Sequence, residues 1–346
     1  MNKLLIKISA LILIAGGWHI SAIGAPSGMD FATYHGADRN ELLIAAAQKE
    51  GEVSVYQDYP VMTAVEAAFT KKYGIKVKSW RADSESILQR VITEARGGRN
   101  EVDVIQNNSP ENQALHREKM LQMVNSPYQK ELMPEAIPNH KEWVGFTLDV
   151  YLGAYNTDKV KKEDLPKSYE DLLDPKWKNK LSIEANDYGW FNALIAAMGE
   201  EKGRKLFTNI VKTNGMSFRK GHSLMAALVA SGEAQMALSS YYCTIPPLKK
   251  KGAPIGMTTL QPLIGQMGTV ALLKKAQHPA AAMLFYDFLI TEGQQIIVDG
   301  GYVATTKKIV SPFDKVPMKI IDPDVALDSQ DKWVKTYNDI LLSNAK

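Results

Sequence analysis

The sequence predicts an α/β protein built of two lobes. Helical and strand patterns alternate along the chain, which is typical of α/β folds with a mostly parallel sheet. The chain has 346 residues, and single hydrophobic cores stop growing beyond roughly 250–300 residues. The first three predicted strands alternate with helices in a βαβαβ order, so their carboxyl ends are expected to meet at one edge of a sheet.

The first 24 residues have the character of a secretory signal peptide. Lys3 and Lys7 flank the start of an apolar run over 8–17, and Ala22 and Gly24 supply small residues before a cleavage site. The run is shorter than the roughly 20 apolar residues of a membrane span. We therefore predict cleavage after Gly24 and a periplasmic mature protein, with an uncleaved N-terminal anchor as the alternative.

Composition argues against a nucleic-acid-binding protein and against a protein stabilised by disulfides. Removal of Lys3 and Lys7 with the signal peptide lowers the formal charge from +3 to +1, and a near-neutral chain lacks the basic patch of nucleic-acid binders. We therefore expect no nucleic-acid partner. Cys243 is the single cysteine, so no disulfide forms within the chain and stability must come from buried core.

The N-terminal elements follow from periodicity and stop signals. Helices are predicted over 41–49, 64–72 and 84–96, and strands over 52–56, 75–78 and 102–105. Gly51, Gly74 and Gly97 are expected to end the helices, and Ser84 is expected to cap the third. The third strand should enter a polar loop over 106–112.

These strand ends define a candidate binding site. In open α/β sheets, ligands bind in the crevice beyond the carboxyl ends of the strands. Here those ends are the segments 57–60, 80–84 and 106–109. The sequence therefore predicts a ligand site at this edge.

Several segments, in order behind the signal peptide, carry a family resemblance. They are 51–56, 73–77, 171–178, 219–223, 270–273 and 278–281. Together they resemble the periplasmic solute-binding proteins of ATP-driven importers, and most of all the ferric-iron-binding branch, whose wider family also holds thiamine and polyamine binders. The resemblance extends from about residue 36 to residue 304.

The resemblance implies a two-lobed, type II periplasmic-binding-protein fold, a clamshell with hinge strands and a ligand cleft. We expect the first lobe to hold residues 25–150 and 271–320 and the second to hold 151–270. C-terminal helices over 321–346 are expected to pack back on the second lobe. The resemblance also implies a monomer that delivers its ligand to the inner-membrane permease of an ABC transporter.

Adjacent tyrosines are the most informative candidates for the ligand site. Tyr241 and Tyr242 follow an apolar stretch, and the resemblance implies that such a pair binds Fe(III) through phenolates. Fe(III) is a hard cation that prefers oxygen donors, and a nearby cation favours the charged form of a phenol. Tyr59 falls where the family supplies a first-lobe ligand, and Asp58 beside it offers a carboxylate.

Two positions depart from the iron pattern. Asn108 falls where the family supplies an acidic ligand, and Asp187 falls in the loop that usually holds an anion. Asp187 would instead suit the metal itself or an amine. Tyr188 and Trp190 could form an aromatic wall that binds an organic cation by cation–π attraction. Ordinary core packing is the alternative for these two aromatic residues.

A predicted helix start offers an anion site. Ser223 is expected to open a helix over 223–231, where free N–H groups and the helix dipole favour anions. Arg219 adds positive charge, so a synergistic anion or a ligand carboxylate could dock there. His222 is a candidate metal ligand or outer contact, and Ser239 is placed among the outer contacts of the site. A plain helix cap with solvated charges is the alternative.

No motif indicates an enzyme. The sequence has no Gly-x-Ser-x-Gly elbow, no phosphate-binding Gly-Lys loop, no His-Glu-x-x-His and no Cys-x-x-Cys. We therefore expect no catalytic residues and no catalytic cofactor, with Fe(III) as the transported ligand. The alternatives are a small organic ligand, either a carboxylate or an amine such as thiamine or a polyamine, and a ligand-loaded partner of a membrane sensor.

Overall fold

The structure is a computed structural model that describes residues 26–342. The predicted signal peptide, residues 1–24, lies outside the described residues. Within 26–342, no helix combines the length and apolar character needed to cross a membrane.

Eleven strands within the described chain belong to one sheet. Their bounds are β1 Glu52–Gln57, β2 Lys76–Arg81, β3 Val104–Asn108, β4 Trp143–Asn156, β5 Leu181–Glu184, β6 Ser217–Arg219, β7 Met236–Tyr241, β8 Ile255–Thr258, β9 Leu263–Leu272, β10 Val303–Ala304 and β11 Met318–Ile320.

Twelve α-helices surround this sheet in the described residues. Their bounds are α1 Arg39–Glu50, α2 Met62–Tyr73, α3 Ser84–Arg96, α4 Ser109–Arg117, α5 Tyr188–Met198, α6 Glu200–Asn214, α7 His222–Ser231, α8 Ile245–Lys250, α9 Pro279–Ile290, α10 Gly293–Asp299, α11 Pro323–Asp328 and α12 Gln330–Tyr337. A π-helical turn, Asn338–Leu342, follows α12.

The sheet has two parallel ends joined by two long antiparallel strands. Its main order is β2-β1-β3-β9-β4-β7-β5-β6. At one end β1 pairs in parallel with β2 and β3, and at the other β5 pairs in parallel with β6 and β7. The long strands β4 and β9 pair with each other and link the two ends. The α/β, two-lobed prediction is therefore confirmed, but the expectation of a mostly parallel sheet is wrong, because β4 and β9 pair antiparallel with each other and β3 and β7 pair antiparallel with them.

The N-terminal elements lie close to their predicted positions. Gly51 and Gly74 end α1 and α2 in the left-handed conformation, with φ of 77° and 73°, where glycine carries no Cβ penalty. The cap of α3 differs from the prediction. Asp83 is the cap, since its carboxylate accepts the Ser86 N–H at 3.0 Å, and Ser84 is the first helical residue.

The predicted polar loop over 106–112 is a strand end followed directly by a helix. β3 continues to Asn108, and α4 begins at Ser109 with Pro110 in its first turn. Proline is well tolerated there because its missing N–H has no partner in the first turn anyway. Polar side chains at the end of β3 are therefore held on regular backbone rather than on a loop.

The two joining strands are buried along their whole lengths. The predicted lobe boundaries at 150/151 and 270/271 fall inside β4 and β9. Their antiparallel register sets Asp149 opposite Gln266 and Tyr151 opposite Ile264. Polar side chains on these strands are thus placed between the two parallel ends of the sheet.

The C-terminal helix α12 contributes to the core around the second parallel end, whereas α11 is paired with α4 of the predicted first lobe through the ion pairs of Arg117 with Asp324 and Asp328. Trp333 and Tyr337 of α12 belong to the same hydrophobic cluster as Trp190 and Phe191 of α5. The ring of Tyr337 lies 5.4 Å from that of Phe191, nearly perpendicular to it. This contact ties α12 to the helix that begins beside Asp187.

Candidate functional site

The first group of site residues lies where β1 and β3 end. Tyr59 follows β1, and its buried hydroxyl donates a hydrogen bond to the carboxylate of Asp149 in β4. The same hydroxyl lies 3.3 Å from the side-chain oxygen of Asn108. Gly268 makes room for it, since a Cβ there would lie 2.3 Å from the Tyr59 hydroxyl. The predicted strand-end site therefore brings Tyr59 and Asn108 together and adds Asp149.

A polar network holds Asp58 beside this group. The side-chain oxygen of Gln106 accepts the backbone N–H groups of Asp58 and Tyr59 at 3.0 and 3.2 Å. The Ser84 hydroxyl donates to Asp58 Oδ2 at 2.7 Å and accepts from Asn108 Nδ2 at 2.8 Å. Asp58 Oδ1 is buried without a hydrogen-bond partner. Burial raises the pKa of Asp58 to about 6.

Asp149 connects the two halves of the site. It is only 3% exposed, and burial raises its pKa from the ordinary value of 3.8 to about 7, against the hydrogen bond from Tyr59. The charges of Asp58 on one side and His222 on the other also act on this carboxylate. A carboxylate held so far from water is costly unless a positive charge or a proton accompanies it.

The second group centres on two phenols. Tyr241, the last residue of β7, has its hydroxyl oxygen 3.0 Å from that of Tyr151 in β4, and Tyr151 donates to Gln266 Oε1 at 3.0 Å. The two rings lie 4.8 Å apart. Burial raises the pKa of both phenols well above the ordinary value, so both are protonated when no cation is bound.

Glu184, Asp187 and the imidazole of His222 lie beside the phenols. The His222 ring stacks on Tyr241 with centroids 3.7 Å apart, and its Nε2 lies 3.2 Å from Asp187 Oδ1. Glu184, Asp187 and His222 offer ligand atoms that all lie within 4.8 Å of one another. Burial lowers the pKa of His222, but the charges of Asp187 and Glu184 outweigh it and raise that pKa above its ordinary value. The two acids therefore stabilise the charged form of the imidazole relative to a free histidine.

The predicted anion site is not assembled as expected. α7 begins at His222 with Gly221 as its cap, so Ser223 is not the cap, and its side chain is exposed. Glu184 lies beside this helix start, because its Oε1 accepts the N–H of the cap residue Gly221 at 2.8 Å. The Arg219 guanidinium donates to the carbonyl of Phe218 at 2.7 Å and lies 3.9 Å from Glu233.

Other predicted residues contact neighbours outside the phenol group. The Tyr242 ring packs edge-on against Phe313 with centroids 5.1 Å apart, so the two adjacent tyrosines make different contacts. The Tyr188 ring packs edge-on against Tyr337 at 5.0 Å. Ser239 supports the site from behind, since its hydroxyl accepts the Glu184 N–H at 3.2 Å. Trp190 is 1% exposed and belongs to the hydrophobic core, which agrees with the alternative of ordinary core packing.

Four residues of the site were not predicted from the sequence: Asp149, Tyr151, Glu184 and Gln266. A signal for the first two exists, because Asp149 is the single charged residue in the 14-residue strand β4. Asp149 and Tyr151 are two positions apart, and alternation along a strand sends both side chains to one face. Glu184 carries the same signal, since it is the single charged residue of β5, whereas Gln266 shares β9 with a second polar residue, Thr269.

The assembled group is acidic and rich in oxygen donors. It holds the carboxylates of Asp58, Asp149, Glu184 and Asp187 and the phenols of Tyr59, Tyr151 and Tyr241. Asp58 Oδ1 and Asp187 Oδ2 are buried without hydrogen-bond partners, which leaves lone pairs for a bound group. Hard cations prefer such oxygen donors. The residues therefore fit a small, highly charged cation better than an anion.

Comparisons with known proteins agree with this fold. Residues 54–296 match the family of bacterial extracellular solute-binding proteins. The chain is 27% identical over 304 residues to the major ferric iron-binding protein of Neisseria meningitidis, covering 82% of this chain and 90% of that one. It is 26% identical over 269 residues to iron uptake protein A1 of Synechocystis sp., covering 71% and 73%.

A solved structure shows the same architecture. Iron-bound HitA from Pseudomonas aeruginosa superposes with a TM-score of 0.72 at 24% identity, over 84% of this chain and 99% of that one. This similarity confirms the two-lobed fold with hinge strands that the resemblance implied.

Proposed function

We propose, since the chain belongs to the bacterial extracellular solute-binding protein family, that it is the substrate-binding component of an ABC importer for ferric iron. It captures Fe(III) between its two lobes and delivers the ion to an inner-membrane permease. The relatives from Neisseria meningitidis and Synechocystis sp., whose names refer to ferric iron and iron uptake, support this cargo.

The observation that carries the proposal is the 3.0 Å separation of the Tyr151 and Tyr241 hydroxyl oxygens beside buried carboxylates. An octahedral ion with metal–oxygen distances of about 2.0–2.1 Å sets neighbouring ligand oxygens about 2.9 Å apart. The two phenols already stand at such a separation. An ion beside this pair can bind both oxygens at neighbouring positions of its octahedron once their shared hydrogen bond is given up.

The proposed ligands come from both lobes. Tyr59 and Asp149 supply a phenol and a carboxylate on one side, and Tyr151, Tyr241 and Asp187 supply oxygens on the other. A bound cation favours the charged form of a phenol, so iron replaces the protons that burial keeps on Tyr151 and Tyr241. Tyr242 is left out of this set because its ring packs against Phe313.

Iron binding is coupled to closure of the lobes around β4 and β9. A ligand that contacts both lobes only when they are closed shifts the population toward the closed form. Asp149 and Tyr151 lie on a joining strand, so they can contribute to the site from the hinge. The permease then recognises the closed, loaded form.

Delivery to a permease requires export to the periplasm. The predicted signal peptide over 1–24 supports that location, together with relatives whose names place them outside the cytoplasm, such as the Fe(3+)-binding periplasmic protein of Serratia marcescens. We propose that the mature chain begins at Ala25 and acts as a monomer.

An organic amine is less well supported by the geometry. The aromatic wall proposed for it needs Trp190, which is buried in the core. Organic carboxylates are disfavoured for a different reason, since Asp149, Glu184 and Asp187 would repel them. The acids of the site therefore favour a cation over an anion. The 3.0 Å separation of the Tyr151 and Tyr241 hydroxyl oxygens favours a metal ion over a larger organic cation.

Thermal unfolding of the mature protein with candidate ligands tests this function. A ligand that binds the folded state stabilises it by RT ln(1 + [L]/Kd) and so raises the melting temperature. Ferric citrate is expected to raise it by several degrees, while citrate alone, spermidine and thiamine leave it unchanged. A shift with spermidine or thiamine and none with ferric citrate would assign the protein to organic cations.

A further inference from the structure

The start of α7 already holds a carboxylate that belongs to the chain. Glu184 is 5% exposed, and its two oxygens accept the backbone N–H groups of Gly221 at 2.8 Å and of Asn186 at 2.5 Å. Helix starts attract anions because their N–H groups point outward and the helix dipole favours negative charge. Glu184 meets this demand at one N–H group of the helix start, that of the cap residue Gly221.

A second carboxylate beside Glu184 has an unused oxygen. Asp187 is 5% exposed, and its Oδ1 lies 3.2 Å from His222 Nε2, while its Oδ2 is buried with no hydrogen-bond partner. Both acids and the imidazole lie within 4.8 Å of one another. Negative charge and a free lone pair are thus built into the side of the site where an external anion would be expected.

The cationic groups predicted to hold an external anion are engaged elsewhere. Arg219 donates to the Phe218 carbonyl and faces Glu233. His222 pairs with Asp187 and stacks on Tyr241. Ser223 is exposed, so its hydroxyl is not held among the buried groups.

From these contacts, and resting on the ferric function proposed above, we propose that the protein binds Fe(III) without a synergistic anion. Glu184 and Asp187 place two buried carboxylates beside the start of α7, where their negative charge disfavours an external anion. Phenolates of Tyr151 and Tyr241 and the carboxylate of Asp149 supply anionic oxygens from the chain itself to the ion. The phenolic protons pass to solvent as iron binds.

The test is an iron titration of the mature protein in carbonate-free, phosphate-free buffer sparged with argon. Ferrous chloride is added and oxidised with purified oxygen, and the phenolate-to-iron absorption band reports loading. The band is expected to develop fully without added anion, and bicarbonate or phosphate is expected to change the apparent affinity by less than about tenfold, or about 1.4 kcal/mol. A band that appears only with bicarbonate or phosphate overturns the inference and leaves the ferric function intact. No band under any condition overturns both.

Variants of Glu184 test the anion-free binding of Fe(III) independently. Glu184→Ala removes the carboxylate and exposes the Gly221 N–H group, so bicarbonate should now strengthen iron binding by about tenfold or more, or about 1.4 kcal/mol. Glu184→Gln keeps an oxygen that can accept from Gly221 and is expected to stay unresponsive. Equal responses of wild type and Glu184→Ala to bicarbonate would contradict the role given to Glu184. If Glu184→Ala does not fold, the wild-type titration decides alone.

Discussion

The hydroxyl of Tyr59 donates a hydrogen bond to the carboxylate of Asp149, which lies 90 residues further along the chain. One residue follows the first strand, and the other lies within the strand that joins the two lobes. In the iron-free protein this contact places a proton between two oxygen atoms. In the proposed ferric function, a cation entering the site takes the place of that proton.

Replacing Asp149 with asparagine tests whether this carboxylate binds the cargo. Loss of groups that only support metal ligands costs about 10–100-fold in affinity, so loss of a direct, charged ligand is expected to cost at least about 100-fold. The amide oxygen of the Asp149→Asn variant can still accept from Tyr59, so the fold is expected to persist. Competition with citrate measures the change in ferric affinity.

Glu66→Gln is the matched control. Glu66 is a partly buried acid of the same lobe that accepts from the Ser79 hydroxyl outside the site, so its loss is expected to leave ferric affinity unchanged. If Asp149→Asn binds iron as tightly as Glu66→Gln, Asp149 is not a ligand.

The stability of the iron-free protein should fall as pH rises. Burial raises the pKa of Asp149 from 3.8 to about 7 and that of Asp58 from 3.8 to about 6, so the folded state holds protons that the unfolded chain releases. The stabilisation is complete below pH 3.8 and is lost as pH rises toward 7. Each tenfold difference in proton affinity is worth about 1.4 kcal/mol.

Urea unfolding between pH 5 and pH 8 measures this effect. The wild-type free energy of unfolding is expected to decrease over that interval, and Asp149→Asn is expected to flatten the decrease and be the more stable protein at pH 8. A wild-type stability that rises from pH 5 to pH 8 would contradict the burial of these carboxylates.

A buried ion pair away from the site holds the N-terminal helix in place. Arg39 of α1 and Asp287 of α9 lie 2.7 Å apart, with both side chains about 5–6% exposed. Arg39→Met leaves the Asp287 charge buried with only the Ser126 hydroxyl as a hydrogen-bond donor, and breaking such a pair costs about 3–5 kcal/mol. Denaturant unfolding should show that loss, while the folded variant binds iron normally.

An exposed pair provides the comparison. Lys72 and Glu292 also form an ion pair, with side chains 44% and 55% exposed. Lys72→Met is expected to change the free energy of unfolding by less than about 1 kcal/mol. Equal losses from Arg39→Met and Lys72→Met would refute the argument from burial.

The first lobe was predictable because its signals are local. Strand and helix periods, together with Gly51 and Gly74, place β1, α2 and β2 within a few residues. The strand-end rule then locates Tyr59 and Asn108 at the site. Helix caps were less predictable, since helix boundaries shift by one or two residues without a change in pattern.

The second half of the site depends on topology. β4 is buried on both faces, so it lacks the alternation that would show which side chains meet, and only its pairing with β7 and β9 brings Tyr151 beside Tyr241. The different contacts of Tyr241 and Tyr242 also follow from the end of β7, which no residue type marks. Glu184 was missed because the helix start beside which it lies is distant in sequence.

The adjacent tyrosines provide the most direct test of the whole account. The visible absorption of the mature protein is recorded during titration with ferric citrate, in wild type, Tyr241→Phe and Tyr242→Phe. We expect a phenolate-to-iron band in wild type and in Tyr242→Phe, whose ring packs against Phe313, and a loss of ferric affinity with a weakened band in Tyr241→Phe. A folded wild-type protein without a band, or a Tyr241→Phe variant with unchanged band and affinity, would contradict the central claim.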